Sequence, residues 1–293
     1  MPSLSTAPAF GEDTSVDIFA GRLDKAQASR LSKALVSTVA HLHQLVREVR
    51  PTPAEWKKIV AFLTEVGHAS DDKRQEWVLL SDLLGVTALV EELNSRRPQG
   101  ATPNTARGPF YRTDAPRLPN GAGISLDGAG ERLKVRGKVL DLDGRPVAGA
   151  TVETWQANDK GFYENQQPDL QPEFNLRGVF TTGGEGCFNY VTVKPAGYTV
   201  PDDGPAGQLL RAVGGPLRRP AHLHFMISAA GFETVTTHVF ERAEAMLHED
   251  PLFGVREELI GDIRHESCEG GTTVWALDFT FVMVRAKPGR RAA

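Results

Sequence analysis

The hydrophobic period of this 293-residue chain changes near Arg132, and that change limits what the chain can fold into. Before it, apolar residues recur at steps of three and four, the spacing of one helix face. Leu31, Leu35, Val39, Leu42, Val46 and Val49 mark such a face from about Asp24 to Arg50. Pro51 stops it. Thr52-Pro53-Ala54-Glu55 is a capping box with proline at the first helical position, and it starts a second helix. Trp56, Ile59, Phe62, Leu63 and Val66 give that helix its apolar face. Ser70-Asp71-Asp72 opens a third, carrying Trp77, Leu80, Leu83 and Leu84 and predicted to run on towards Leu93. Residues 1–15 read as a loose arm. Residues 95–131 hold several prolines and glycines without a period, and a connecting segment that long is often functional.

From Arg132 the period is two. Leu133, Val135 and Val139 alternate, Asp141 to Pro146 forms a turn, and Ala150 to Trp155 is predicted as the return strand. More strands are predicted near 178–182, 187–193, 221–228, 234–241 and 273–285. Strands separated by Gly/Pro turns, with no intervening helices, predict an antiparallel sandwich or barrel. The expected organisation is a helical part over residues 1–100 and a β part over 101–293. The tail from Lys287 is basic and reads as frayed.

Composition excludes several function classes. The formal net charge is -4, and no dense Lys/Arg run precedes the tail, so nothing supports a nucleic-acid or membrane-surface partner. No apolar run approaches membrane-spanning length. The start, MPSLSTAPAFGEDTS, lacks the basic and apolar regions of a signal peptide. The two cysteines, Cys187 and Cys268, are far apart and lack metal-type spacing, which fits a reducing compartment. The expected location is the cytoplasm.

Two stretches carry chemistry. In Arg219-Pro220-Ala221-His222-Leu223-His224-Phe225 the histidines are one residue apart on a predicted strand, so they share a face opposite Leu223 and Phe225. Such a pair is either half of a metal site or the solvated side of a strand. Of four tyrosines, Tyr163 and Tyr198 stand in Gly/Pro-flanked turns. A tyrosine so placed is either a packing lid over the core or a ligand.

Val152-Glu153-Thr154-Trp155-Gln156-Ala157-Asn158-Asp159-Lys160-Gly161-Phe162-Tyr163, then Gly197-Tyr198-x-x-Pro201-x-Asp203-Gly204-Pro205, then Arg219 to Phe225 occur in that order. Together they resemble the intradiol ring-cleavage dioxygenases, the family of catechol and hydroxyquinol 1,2-dioxygenases. The resemblance implies an antiparallel, prealbumin-like β-sandwich preceded by a helical domain. It implies one Fe(III) per subunit held by Tyr163, Tyr198, His222 and His224, with Tyr198 axial opposite His222 and leaving the metal when substrate binds. It implies Arg219 as the catalytic arginine, a fixed cation beside the developing ring carbanion; without the resemblance Arg219 reads as a surface residue beside Arg218. The substrates implied are O2 and a small aromatic diol or triol. A homodimer built on residues 24–95 is also implied, and a bound phospholipid is allowed though no residue demands it. The donor chemistry is coherent, because a bound cation stabilises phenolates that otherwise form only near pH ~10.

Within the family, Val78 to Val86 is similar to the helix over the active site in the hydroxyquinol branch, with Leu79 and Asp82 matching pocket residues. Gly108-Pro109-Phe110 matches the pocket loop, and Val200-Pro201 matches the wall after the second tyrosine. Ala106-Arg107 departs from that branch, which carries bulkier apolar residues there. This leaves the ring substituent open between hydroxyquinol and a chlorohydroxyquinol. His238 reads as core or as a neighbour of the site, not as a further ligand. The alternatives are a catechol or chlorocatechol dioxygenase, a zinc hydrolase, for which no water-activating motif stands near His222, and a non-catalytic prealbumin-like binding module.

Overall fold

The computed structural model describes residues 10–23, 29–71, 74–269 and 272–286. Its Cα packing groups residues 1–65 as one compact unit and 66–293 as another. The first unit holds α1 (Ser15–Gly21), α2 (Arg30–Val49) and most of α3 (Pro53–His68). Ser29 and Ser32 form a capping box at the start of α2, and Arg50 closes it with a left-handed φ of 54°. The expected start near Asp24 lies outside the described residues, as do residues 1–9 of the arm and the basic tail from Lys287. The Thr52–Glu55 capping box is present: Thr52 N donates to Glu55 Oε2 at 2.8 Å, and Glu55 N to Thr52 Oγ1 at 3.3 Å.

The third predicted helix is two, α4 (Glu76–Leu83) and α5 (Val86–Asn94). The break is Gly85, whose φ of 71° is left-handed and cannot continue a helix. Asp72, expected to open this helix, lies outside the described residues. A helix the sequence pattern does not announce, α6 (Pro205–Ala212), packs on α4. Glu76, fully buried, joins them: its Oε1 accepts from Ala206 N at 2.9 Å, and its Oε2 from Arg74 Nε at 2.8 Å.

The strands are β1 (Arg132–Asp141), β2 (Thr151–Gln156), β3 (Arg177–Thr181), β4 (Cys187–Val193), β5 (Tyr198–Thr199), β6 (Arg218–Arg219), β7 (His222–Ser228), β8 (Val235–Glu241), β9 (Ile260–Gly261), β10 (Arg264–Glu269) and β11 (Thr272–Met283). They form a sheet in the order β10-β11-β1-β4, a second in the order β3-β2-β7-β8-β9, and the short pair β5-β6. The core lies between the two larger sheets, with Leu133, Val135, Phe188, Tyr190, Leu277 and Phe281 from one and Val152, Phe180, Leu223, Phe225, Ile227 and Val239 from the other. Gly137 shares the inward side of β1 with these residues, and the Phe188 ring lies where its Cβ would be.

Two expectations need correction. β2 is not the hairpin return of β1: the two belong to different sheets. Asp141 Oδ1 accepts from Asp143 N and Arg145 N at 3.0 Å each, and the chain then crosses to the other sheet. The sandwich is also not wholly antiparallel, since β1 pairs β11 in parallel from Arg132↔Val274 to Asp141↔Met283. Alternation sets which face of a strand is buried; it does not set the strand's neighbour or direction.

Candidate metal centre

β7 carries the pair of histidines. Leu223, Phe225 and Ile227 enter the core, so His222 and His224 occupy the opposite face of the five-stranded sheet. Both are 2% exposed, which rules out the solvated-strand reading. Trp155 on β2 pairs with His224 and stacks on its ring, with centroids 4.7 Å apart and planes 14° apart. On the other side β8 places His238 opposite His224.

The tyrosines come to the same place. Tyr163 precedes a short 3-10 turn, Glu164–Gln166, and its N–H donates to Gln166 Oε1 at 2.9 Å. Its hydroxyl meets His224 Nε2 at 2.8 Å. Behind it, Glu164 Oε1 and Arg177 Nε make a buried pair at 2.6 Å. Tyr198 lies on β5, opposite Arg219 of β6. Its ring is 5.9 Å from that of Tyr163 and 5.6 Å from that of His222. Arg219 Nη1 stands 3.4 Å from Tyr198 Oη and 3.5 Å from His222 Nε2. The structure therefore gathers Tyr163, Tyr198, Arg219, His222 and His224.

The electrostatics suit a bound cation. His222 Nδ1 lies 2.7 Å from the Pro220 carbonyl, which can only accept, so Nδ1 carries the proton and Nε2 offers a lone pair. Burial, then the charge of Arg219, lowers the pKa of His222; burial and the neighbouring histidines lower that of His224. Both are neutral donors. Burial, with Tyr198 beside it, holds the Tyr163 phenol well above its ordinary value. A buried phenolate there needs a positive charge against it, which a metal ion supplies. The ligand atoms of His222, His224 and His238 lie within 4.8 Å of one another, a group able to hold a metal. His238 Nδ1 is bonded to Thr105 Oγ1 at 2.5 Å, and its buried Nε2 has no partner among the described residues.

The predicted pocket residues divide. Phe110 stacks on Tyr163 at 4.3 Å between centroids, and a Cβ on Gly108 would lie 3.5 Å from His224 Cε1. Asp82, on α4, is half-buried and close enough to Arg219 for that charge to act on its carboxyl. Leu79 is half-buried one turn before it. Pro109 is exposed between Gly108 and Phe110. Val200 is buried directly after β5, while Pro201 is exposed. Arg107 is exposed and lies over the Tyr111 ring at 4.8 Å.

The sequence reading missed Asp250. It is 6% exposed and takes Arg219 Nε on Oδ1 at 3.0 Å and Nη2 on Oδ2 at 3.2 Å. No local spacing signals it, because 31 residues separate the partners.

The family model described as "Dioxygenase" matches residues 107–285, and "Catechol dioxygenase N terminus" matches residues 28–102. The chain is 46% identical over 284 residues to a hydroxyquinol 1,2-dioxygenase of Rhizobium sp. (strain MTP-10005), covering 94% of this chain and 96% of that one. It is 47% identical over 262 residues to a 6-chlorohydroxyquinol 1,2-dioxygenase of Cupriavidus pinatubonensis, covering 89% and 93% respectively. Among solved structures, the hydroxyquinol 1,2-dioxygenase of Pseudomonas putida DLL-E4 superposes with a TM-score of 0.87 at 38% identity, covering 94% of this chain and 97% of that one.

Proposed function

The chain belongs to the intradiol ring-cleavage dioxygenases, and from that premise we propose that it cleaves hydroxyquinol, or a chlorinated hydroxyquinol, between its adjacent hydroxyl carbons. The product, a 3-hydroxymuconate, tautomerises to maleylacetate, and both atoms of O2 enter it. The observation that carries the reading is the convergence of two phenols and two neutral imidazoles beside a buried guanidinium.

The proposed ligands of one Fe(III) per subunit are Tyr163, Tyr198, His222 and His224. Two anionic oxygens and two neutral nitrogens are a hard donor set that favours the ferric ion. When bound, the ion supplies a Lewis acid that holds both adjacent hydroxyls of the substrate and draws electron density from its ring. The Tyr198 oxygen is placed to take up a proton released by a substrate hydroxyl. Arg219 Nη1, which already approaches Tyr198 and His222, supports negative charge developing on the ring. Phe110, stacked on Tyr163, keeps water from that phenolate. Gly108 to Phe110, Leu79, Val200 and Pro201 form the proposed walls, and Asp82 accepts a hydrogen bond from the third hydroxyl. In this division of labour residues 101–293 are catalytic and residues 1–100 are helical and dimerising. The proposed location is the cytoplasm; no helix among the described residues is long and apolar enough to cross a membrane.

The test is oxygen uptake with hydroxyquinol, its chlorinated forms and catechol side by side, together with metal analysis and the visible spectrum. One iron per chain, a broad tyrosinate charge-transfer band and preference for a triol are expected. Stoichiometric zinc without a band, or preference for catechol, overturns the reading. A site that bonds a substrate hydroxyl discriminates strongly against the analogue lacking it. Asp82→Ala should therefore narrow the margin of hydroxyquinol over catechol while the band stays.

A further inference from the structure

Arg219 is held at three points. Its backbone is fixed by the β5-β6 pair opposite Tyr198. Two edges of its guanidinium, Nε and Nη2, lie on the carboxylate of Asp250 at 3.0 and 3.2 Å. That leaves Nη1 facing Tyr198 and His222. The carboxylate is fixed in its turn, for Gly254 N donates to Oδ2 at 2.9 Å and Leu252 N to Oδ1 at 3.4 Å. Gly254 is pressed so closely on the pair that a Cβ there would lie 3.0 Å from Asp250 Oδ2 and 3.4 Å from Arg219 Nη2. The turn also carries Phe253, held at a left-handed φ of 56°, with its ring against Gly85 at the end of the helix that bears Asp82.

We propose that Asp250 is the positioning residue for Arg219: by taking the Nε and Nη2 edge it aims Nη1 at the reacting ring. This rests on the role given to Arg219 above. A buried ion pair adds little stability over an apolar pair of the same size, because both charges lose their water, although removing one partner alone is costly. An arginine side chain has many rotamers, and a catalytic donor must sit within about 0.5 Å of its productive place. A bidentate carboxylate meets that need, since it fixes both the position and the plane of the guanidinium. Asp250 touches no substrate; it acts through Arg219.

The experiment is a double-substitution cycle on full-length enzyme, with Asp250→Asn, Arg219→Ala and both together. Asparagine keeps the size and one acceptor but loses the charge and the second acceptor. Asp250→Asn should lower kcat for hydroxyquinol about tenfold with KM changed less than about threefold, the loss of an interaction made mainly in the transition state. In the Arg219→Ala background the same change should alter the residual kcat by less than about twofold, because coupled residues are not additive. The cycle is also read by melting temperature on metal-free protein: Asp250→Asn should lower it only while Arg219 is present. Wild-type kcat in Asp250→Asn, or equal losses from Asp250→Asn with and without Arg219, overturns the proposal. Gly254→Ala, which crowds the pair and removes no charge, should also lower kcat more than it raises KM. Failure of wild-type enzyme to cleave any triol refutes the substrate reading, and the melting cycle then decides the Asp250–Arg219 coupling by itself.

Discussion

Asp82 and Asp250 both feel the charge of Arg219, yet their carboxyls move in opposite directions. For Asp250, burial pushes the pKa up, but the guanidinium in direct contact pulls it further down, to a net value below the usual range. For Asp82, burial dominates, and the hydrogen bond from Thr87 and the more distant Arg219 only partly offset it, so its pKa is raised. The stability consequences have opposite signs. Asp250 contributes stability that is present above the unfolded carboxyl value, about 4, and is lost as pH falls through its lower folded value. The melting-temperature gap between wild type and Asp250→Asn should therefore be wide at neutral pH and close in acid below about pH 4, as thermal scans across pH would record. Asp82 does the reverse: its ionised form is disfavoured in the fold, so it costs stability at neutral pH and nothing once protonated. Asp82→Asn should raise the melting temperature at neutral pH, and the gain should vanish in acid; a loss at neutral pH would mean that Thr87 and Arg219 outweigh burial and favour the carboxylate. A residue that costs stability where it ionises is the pattern expected of a binding group. At this scale the sequence was most legible where the residues that the structure gathers fall in fixed local order, as at Tyr163, Tyr198 and His222 to His224. It was silent on Asp250 and Thr105, whose partners are 31 and 133 residues away.

Among the elements, α4 has the most exacting placement to meet, since it carries both Leu79 and Asp82. Glu76, Leu80 and Leu83 are its buried residues, and Glu76 ties it to the N-terminal turn of α6. Gly204, before that turn, leaves room for the Arg74 and Glu76 side chains where a Cβ would collide with both. Arg74 continues outward to Asp203 at 2.7 and 3.0 Å, so one chain of charges links α4 to the segment after Tyr198. Glu76→Gln keeps an acceptor for Ala206 and loses the charge opposite Arg74, which should cost about 2 kcal/mol in urea unfolding. The same change should raise KM for the triol with the visible band intact, because it loosens the helix of the proposed pocket without touching the proposed metal ligands. An unchanged KM would show that the Glu76 contacts do not shape the proposed pocket. The inward sides of β1 and β7 could be read from periodicity. Sheet membership could not, as the separation of β2 from β1 shows, because strand pairing depends on contacts far apart in the chain. β10, with Arg264, His265 and Glu266 in succession, has no apolar alternation to reveal it. α6 begins in a Pro/Gly-rich stretch that reads as a turn.

At the scale of the whole molecule, α2 poses an unsolved packing problem. It is amphipathic by sequence, yet none of its residues is buried. One stripe, through Val36, Val39, Ala40, His43 and Arg47, is half-buried. There α1 lies against it: His43 Nδ1 meets Ser15 Oγ at 2.9 Å, and Arg47 Nη1 donates to the Glu12 carbonyl at 3.0 Å. The other stripe is exposed among the described residues, with Leu31 78%, Leu42 52% and Val49 62% exposed and Leu35, Leu45 and Val46 beside them. A run of large apolar side chains along one helix is more than the scattered exposure ordinary for a soluble surface. Covering each of these side chains would contribute about 1.5–3 kcal/mol, and a few of them offset the loss of rotational and translational freedom on association. A second copy of the chain is the partner proposed, with the contact built on residues 24–95; a two-fold arrangement would set the same stripe against itself. Sedimentation of the purified protein at micromolar concentration should give a mass near twice that of the chain. Leu35→Glu combined with Leu42→Glu should shift it to the monomer and leave the visible band in place, because neither residue is a proposed ligand. A wild-type monomer at that concentration would remove the second copy as the cover for this stripe.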